Sequence, residues 1–349
     1  MRLSDFDYDL PEELIAQQPL EQRDASRMLI LDRATQTRED SQFAMFPSYV
    51  RAGDVVVVNN TRVFPARLTG RREPSGGRVE VLLVREVKPG IWEALARPAQ
   101  RLNVGARLRF GDSGLRAEVL ECPAKGVRRL RFETGGEESR SLGTLLNELG
   151  QTPLPHYIRR PEGESAADRE RYQTVFAREK GAIAAPTAGL HFTPKVISAL
   201  QARRARVVEI TLHVGYGTFE PVRVDNIEEH RVAPEFFQIE EHAAAVINEG
   251  RAQGGRVIAV GTTTTRALES AVNPQGFVAA GAGKSELTIT PGYKFRVTDA
   301  LLTNFHLPRS SLLLLVSAFA GRDFTLAAYR HAVAARFRFY SYGDCMFVI

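Results

Sequence analysis

Four histidines stand where apolar runs give way to polar loops: His191, His213, His230 and His306. An imidazole with its ordinary pKa near 6.5 exchanges protons at neutral pH without any large environmental shift. Two acids fall close to such loops. Asp299 precedes Thr303-Asn304-Phe305-His306-Leu307-Pro308, and Asp344 closes the run Phe339-Tyr340-Ser341-Tyr342-Gly343-Asp344. Core packing explains those aromatics well and explains the acid poorly. His191, His213, His306, Asp299 and Asp344 are therefore the candidate acids and bases. The competing readings are a turn in which His191 caps a neighbour, and a buried His306 satisfied by Asn304.

Glycine and hydroxyl residues mark where a ligand would be held. Thr187, Gly189 and His191 lie in a loop just ahead of a helix whose N-cap is Thr193 and whose first residue is Pro194. Free amides at such a terminus favour an anion. Gly261-Thr262-Thr263-Thr264-Thr265-Arg266 stands at a second strand-to-helix junction, a cradle for a carboxylate or phosphate unless the threonines only cap and fill space. In Val214-Gly215-Tyr216-Gly217 the glycines would let backbone approach a flat ligand, with Tyr216 as a stacking surface; the alternative is a plain tight turn. Asn60, Thr61 and Arg62 follow Val55–Val58 and are too polar to remain in a core.

Two apparent motifs fail on spacing. Gly281-Ala282-Gly283-Lys284-Ser285 resembles a phosphate loop, but Val278 occupies the place of the required first glycine. The segment Leu287–Thr290 that follows reads as a strand, where a helix is needed. Glu228-Glu229-His230 has no paired-histidine spacing, and Cys122 and Cys345 are far apart, so no metal is expected.

The elements that must position these residues are of two textures. From Phe64 to about Glu133, apolar residues alternate with polar ones in short runs separated by Gly- and Pro-containing turns, the pattern of a small antiparallel barrel or sandwich. A helix is expected over Leu142–Leu149. After Gln151 strands and helices alternate: a helix over Arg171–Lys180, a strand over Gly181–Ala185, a helix over Lys195–Arg204 and a strand over Arg206–Val214. These last three predict a parallel strand pair joined by a right-handed crossover. A helix near His242–Gln253, a strand over Arg256–Val260 and a strongly apolar helix from Ser310-Ser311 follow. The expected architecture is a larger mixed α/β domain, residues 1–63 and 151–349, with an inserted β-barrel domain at 64–150. In open α/β sheets, ligands sit beyond the carboxyl ends of the strands.

The 349 residues are 44% hydrophobic and 25% charged, the mix of a soluble globular protein. The longest apolar stretch, Leu312–Ala320, is far short of the roughly 20 residues needed to cross a bilayer. The N-terminus lacks an apolar export segment, so the chain is expected to be cytoplasmic. Of 46 cations, six are lysines and 40 are arginines. A basic, arginine-rich chain suits phosphate recognition, although genome base composition accounts for arginine over lysine equally well. Arg128, Arg129, Arg159, Arg160, Arg203 and Arg204 cluster in exposed-looking sequence.

Several runs carry a family resemblance along the whole chain. They include Tyr8-Asp9-Leu10-Pro11-Glu12-Glu13-Leu14, Asn59-Asn60-Thr61-Arg62-Val63, Ala185-Pro186-Thr187-Ala188-Gly189-Leu190-His191-Phe192-Thr193, Thr211-Leu212-His213-Val214-Gly215, Thr303-Asn304-Phe305-His306-Leu307-Pro308 and Ser341-Tyr342-Gly343-Asp344. The chain resembles the S-adenosylmethionine:tRNA ribosyltransferase-isomerases of the queuosine pathway. That resemblance implies transfer and isomerisation of the ribosyl part of S-adenosylmethionine onto 7-aminomethyl-7-deazaguanine at the wobble position of tRNA. The products are epoxyqueuosine-tRNA, adenine and methionine. It also implies S-adenosylmethionine as a consumed cosubstrate, no bound cofactor, no metal and an α/β domain with an inserted barrel. A monomer without membrane contact is expected. Many members carry a second histidine three residues after the one matching His230; Ala233 stands there here. The alternatives are a non-catalytic RNA-binding protein and an S-adenosylmethionine-dependent tRNA methyltransferase. With arginines meeting tRNA phosphates, affinity should fall by orders of magnitude between low and physiological salt; a filter-binding titration giving a flat profile would contradict it.

Overall fold

The structure, a computed structural model, describes residues 1–135, 140–161, 163–219 and 221–349. A hairpin, β1 (Arg27–Asp32) and β2 (Thr37–Gln42), is followed by the short helix α1 (Phe46–Tyr49) and by β3 (Val55–Asn59). β3 is the valine run, and every one of its residues is buried, as befits a strand covered on both faces. Val55 and Val57 point into one apolar cluster and Val56 and Val58 into another.

β4 (Thr61–Val63) leads out of this layer into six antiparallel strands that close on themselves: β5 (Arg67–Glu73), β6 (Arg78–Lys88), β7 (Ile91–Arg97), β8 (Arg107–Phe110), β9 (Leu115–Glu121) and β10 (Val127–Thr134). The alternating residues of the sequence fill the interior, Val79, Val81, Leu83, Ala94 and Ala96 among them. Gly70 is needed there because a Cβ would lie 2.7 Å from the Phe110 ring. α2 (Leu142–Leu149) starts at the Ser141 cap and adds Leu145 and Leu146 to the same core.

The remaining chain runs α3 (Ala166–Arg171), β11 (Glu179–Ala182), α4 (Pro194–Ala202), β12 (Arg206–Leu212), β13 (Glu235–Ile239), α5 (Glu241–Ala252), β14 (Val257–Val260), α6 (Thr262–Ala271), β15 (Gly281–Ser285), β16 (Ala300–Asn304), α7 (Ser311–Ala320), α8 (Arg322–Ala334) and β17 (Cys345–Val348). A nine-stranded sheet has the order β15-β13-β12-β3-β14-β16-β17-β1-β2. β12, β3, β14 and β16 are parallel neighbours, so their carboxyl ends share one edge. α5 to α8 pack on one face and α1 with α4 on the other. Among the described residues no single helix is long and apolar enough to cross a membrane.

Three expectations are corrected. β11 does not pair with β12; it lies parallel to β4 in a separate two-stranded sheet. Asn59 is the reason: its side chain takes Leu212 N and Thr61 N and donates to Leu212 O, closing the ladder after β3 and turning the chain outward. The helix expected over Arg171–Lys180 ends at Arg171, because the Ser165–Asp168 capping box starts it earlier. The Gln173 amide then clamps both backbone groups of Val63, which holds that segment out of a helix. The strand expected at Leu287–Thr290 is instead β15, Gly281–Ser285, an edge partner of β13. Gly283 sits under the Phe237 ring, 2.9 Å from where a Cβ would be, so the glycine serves packing.

The parallel layer is anchored at its amino edge by Asp54, 1% exposed. Its carboxylate accepts from Arg51 N, Arg256 N and the Arg256 guanidinium, the last at 2.7 Å. Removing one partner of a buried pair costs about 3–5 kcal/mol. Asp54→Ala should therefore lower the urea midpoint by that equivalent with an unchanged slope; an unaltered midpoint would refute the anchor.

Candidate active site

The cleft at the carboxyl edge lies between β14 and β16. Gly261 follows β14 with φ +94 and opens α6, which puts Thr262 and Thr263 in its first turn. Thr303, Asn304 and His306 come from the end of β16. The neighbour β17 runs antiparallel to β16, so the segment entering it, Tyr340-Ser341, returns to the same spot. Thr187 completes the wall from the turn Thr187–His191. The free interior is about 30 Å³, roughly the space of a water or two, so a nucleoside enters only if the walls part.

Asn304 ties these segments together. Its Nδ2 donates to Tyr340 O at 2.8 Å and Ser341 O at 3.3 Å, which turns Oδ1 toward His191. His191 Nε2 therefore donates to Oδ1 at 3.2 Å, and its Nδ1 lies within hydrogen-bond distance of Ser26 Oγ, at 3.1 Å. Burial, opposed by the Asn304 bond, pulls the His191 pKa down to about 4. His306 contacts Thr303 Oγ1 through Nε2 at 2.9 Å, and its backbone is held by Tyr8 and Tyr329 hydroxyls. Among the described residues its Nδ1 makes no hydrogen bond, and the ring lines the cleft. Burial alone lowers its pKa to about 3. Both rings are neutral at pH 7.

The sequence candidates divide. Thr187, Gly261, Thr262, Thr263, Asn304 and His306 meet in the cleft. His191 does not line it; it stands behind Asn304, so the expectation of a histidine titrating near 6.5 against substrate is corrected by its burial. It is His191, and not His306, that Asn304 satisfies. Asp299 sits at the opposite end of β16, roughly 16 Å away at 3.3 Å per residue, where it caps Val257 N. Asp344 is 2% exposed and occupied by Arg27 N, Arg338 N and the Arg338 guanidinium. Neither acid reaches the cleft. Gly189 packs on Thr174, 3.0 Å from where a Cβ would be.

A second group gathers elsewhere. His213 bonds Thr61 Oγ1 through Nδ1 at 2.8 Å, stacks on Phe236 and leaves Gly181 no room for a Cβ; burial lowers its pKa. Asn60 accepts from Thr211 Oγ1 and serves the strand end. Tyr216 packs against the barrel core. Gly217 is explained by Ala233, 2.5 Å from where a Cβ would be, with no ligand required. Buried Glu235 accepts from Gly215 N and pairs with buried Arg266 of α6, binding this turn to the cleft helix. Arg62 lines a wider cleft of about 770 Å³ with Arg23, Arg169 and Lys180. Thr174 lies on its wall, so the Thr187–His191 turn separates it from the narrow cleft. Of the surface arginines, Arg128 is buried on backbone carbonyls, and Arg160 is held by Asp168. Among the described residues no cluster of three or more His, Cys, Asp or Glu suits a metal.

Sequence reading missed Tyr340 and Leu312 as wall residues. Tyr340 has φ +72, and its backbone bonds Phe305 O and Asn304 Nδ2, contacts that no local pattern in the chain shows.

A mixed α/β sheet with a polar cleft beyond its carboxyl edge, joined to a closed barrel, defines an enzyme scaffold of the open α/β class. Residues 3–348 match the model of the queuosine biosynthesis protein family, and the chain belongs to that family. It is 52% identical over 352 aligned residues, 100% of both chains, to the S-adenosylmethionine:tRNA ribosyltransferase-isomerase of Syntrophotalea carbinolica. A crystal structure of the S-adenosylmethionine tRNA ribosyltransferase from Thermotoga maritima is 38% identical, with TM-score 0.56, covering 99% of this chain and 100% of that one.

Two neutral buried histidines make stability depend on pH. Their unfolded pKa is about 6.5, so the unfolded state binds protons first as pH falls. The contribution is complete above pH 6.5 and is lost toward pH 4 for His191 and pH 3 for His306. His191→Gln should unfold in urea with a shallower pH dependence between 6.5 and 4 than the parent. Parallel curves would show that the ring is not held neutral.

Proposed function

We propose that the chain is an S-adenosylmethionine:tRNA ribosyltransferase-isomerase acting on 7-aminomethyl-7-deazaguanine at the tRNA wobble position. The observation that carries this is the full-length 52% identity to an enzyme of that name; the cleft's chemistry supports it. Its walls are amides, hydroxyls and neutral imidazole, which accept a sulfonium cation without charge repulsion. The reaction breaks the ribose bonds to sulfur and to adenine. The sulfonium acidifies the adjacent 5′ hydrogens, and His306, the histidine that lines the cleft, is assigned as the acceptor through Nδ1, which requires Nε2–H to donate to Thr303 Oγ1. Burial makes that imidazole a weak base. Thr303 holds its orientation, and His191 positions Asn304. Asp299 and Asp344 are structural.

The wider basic cleft suits the phosphate backbone on the far side of the Thr187–His191 turn. The target base lies in a single-stranded loop, and such bases are commonly splayed out for recognition. In this reading residues 64–150 are an inserted unit, the chain works as a cytoplasmic monomer, and no metal or resident cofactor takes part.

Product analysis tests the reading. Incubation with S-adenosylmethionine and tRNA bearing the deazaguanine should release adenine and methionine. Formation of S-adenosylhomocysteine would mean methyl transfer, and no turnover would leave an RNA-binding protein. General acid–base catalysis is worth about 10²–10⁴ in rate, so His306→Ala should lower turnover by about that factor with the fold intact. Wild-type turnover in that variant would remove His306 from the chemistry.

A further inference from the structure

The outer face of the barrel carries its charges in rows, because residues in register on neighbouring strands point the same way. Two rows alternate in sign. One runs Glu73, Arg107, Glu118 and Arg131 across β5, β8, β9 and β10. Another runs Arg85, Glu93, Arg129 and Glu121 across β6, β7, β10 and β9. Their members pair directly: Arg131 meets Glu118 at 2.5 Å, Arg129 meets Glu121 at 2.6 Å and Arg85 meets Glu93 at 3.0 Å.

The row beside the first breaks this pattern. Arg78 on β6 stands opposite Arg71 on β5, Arg71 opposite Arg109 on β8, and Arg109 opposite Arg116 on β9. All four are exposed. Like charges directly opposite on neighbouring strands are destabilising, and here three such pairs follow one another. Little offsets them among the described residues. The Arg78 side chain has no partner there, and Arg71 donates only to Gly76 O. Arg109 reaches Asp112, whose side chain is 98% exposed, and Arg116 lies 4.0 Å from Glu73. Surface pairs of that kind contribute little.

The shape of the row defines what would neutralise it. With neighbouring strands roughly 4.8 Å apart, four positions extend over about 14 Å. They lie along a line and do not converge on a point, so an extended polyanion meets all four where a small anion meets one or two. A groove of about 400 Å³ runs beside Arg71, Arg78, Arg109 and Thr69. Among the described residues no aromatic side chain lines it, so it offers bases no stacking surface and phosphates are what it fits. Arginine's planar fork matches that group.

The row also lies close to the wide basic cleft. Gly111, in the groove wall, packs on Leu149 of α2, 3.3 Å from where a Cβ would be, whereas Asn147 of the same helix lines that cleft. One helix, roughly 10 Å across, therefore separates the two basic surfaces. We propose that Arg78, Arg71, Arg109 and Arg116 form a docking surface that holds the tRNA phosphodiester backbone next to the target loop. They supply affinity and take no part in the chemistry. The proposal rests on the function proposed above only for naming tRNA as the polyanion. Sequence reading does not single out these arginines, because strand register brings them together.

The test is filter binding of tRNA bearing the deazaguanine, over a salt series, to the parent and two double variants, Arg71→Gln/Arg78→Gln and Arg85→Gln/Arg131→Gln. The second removes the same charge from the alternating rows. Arg71→Gln/Arg78→Gln should weaken binding roughly tenfold at low salt and make log affinity against log salt shallower by about two. KM for tRNA should rise, with kcat and S-adenosylmethionine affinity unchanged. Its urea midpoint should equal or exceed the parent's, since a repulsive pair is gone. Arg85→Gln/Arg131→Gln should bind tRNA as the parent does. Unchanged affinity and slope in the first variant would overturn the proposal, as would equal losses in both, which would mean net charge alone. A lowered urea midpoint with parental tRNA affinity would make the row structural and overturn it. Lost binding to phosphatidylserine vesicles with tRNA affinity intact would assign the row to a membrane surface and overturn it too. If the parent releases adenine while the binding comparison fails, only this inference falls. The expected binding losses from a parent that releases no adenine would sink the catalytic reading and leave the docking surface standing.

Discussion

One side-chain amide holds the candidate site together. Asn304 ends β16, bonds Tyr340 O and Ser341 O with its nitrogen and receives His191 Nε2 on its oxygen. Three segments distant in sequence are thus fixed at the edge where the parallel strands stop. The amide is 2% exposed. Leaving a buried donor or acceptor unmade costs about 1–3 kcal/mol, and here two or three such groups depend on one residue. Asn59 plays a matching part at the end of β3, where it substitutes for the backbone of a neighbouring strand. The two asparagines terminate the ladder and release the chain into loops.

Burial does more than stabilise this edge. It keeps His191 and His306 uncharged at neutral pH, with pKa values near 4 and 3. An uncharged pocket lined by amides and hydroxyls is compatible with a cationic ligand, whereas four titrating histidines would repel one. The basic groups are instead segregated to the wider cleft beyond the Thr187–His191 turn. The fold therefore separates a neutral, nearly closed interior from an open cationic surface, with a five-residue turn as partition.

The barrel is joined to this edge through packing as well as through the chain. Ile183 and Tyr216, from the segments after β11 and β12, belong to or pack on the barrel core. Glu235 and Arg266 link the Tyr216 turn back to α6. The barrel, the Tyr216 turn and α6 are thus joined by direct contacts.

Much of this was legible in the chain because it depends on periodicity and local caps. The alternation between Val79 and Phe132 predicted a small antiparallel barrel or sandwich, Ser141 and Thr193 started their helices as capping chemistry requires, and the valine run became the doubly covered β3. The resemblance of ordered residue blocks identified the family. Gly261, Thr262, Thr263, Asn304 and His306 were found because glycine and hydroxyls at a strand-to-helix junction, or a histidine in a polar run, are local signals. Tertiary structure alone decided the rest. Asp299 and Asn304 are five residues apart and lie at opposite ends of one strand, while Tyr340 and Asn304 are far apart in sequence and touch. Asp344 was drawn off by Arg338 and Arg27 from beyond its own segment. Residue type states what a side chain can do. Strand direction, pairing and burial determine which side chains meet, and those depend on the whole chain at once.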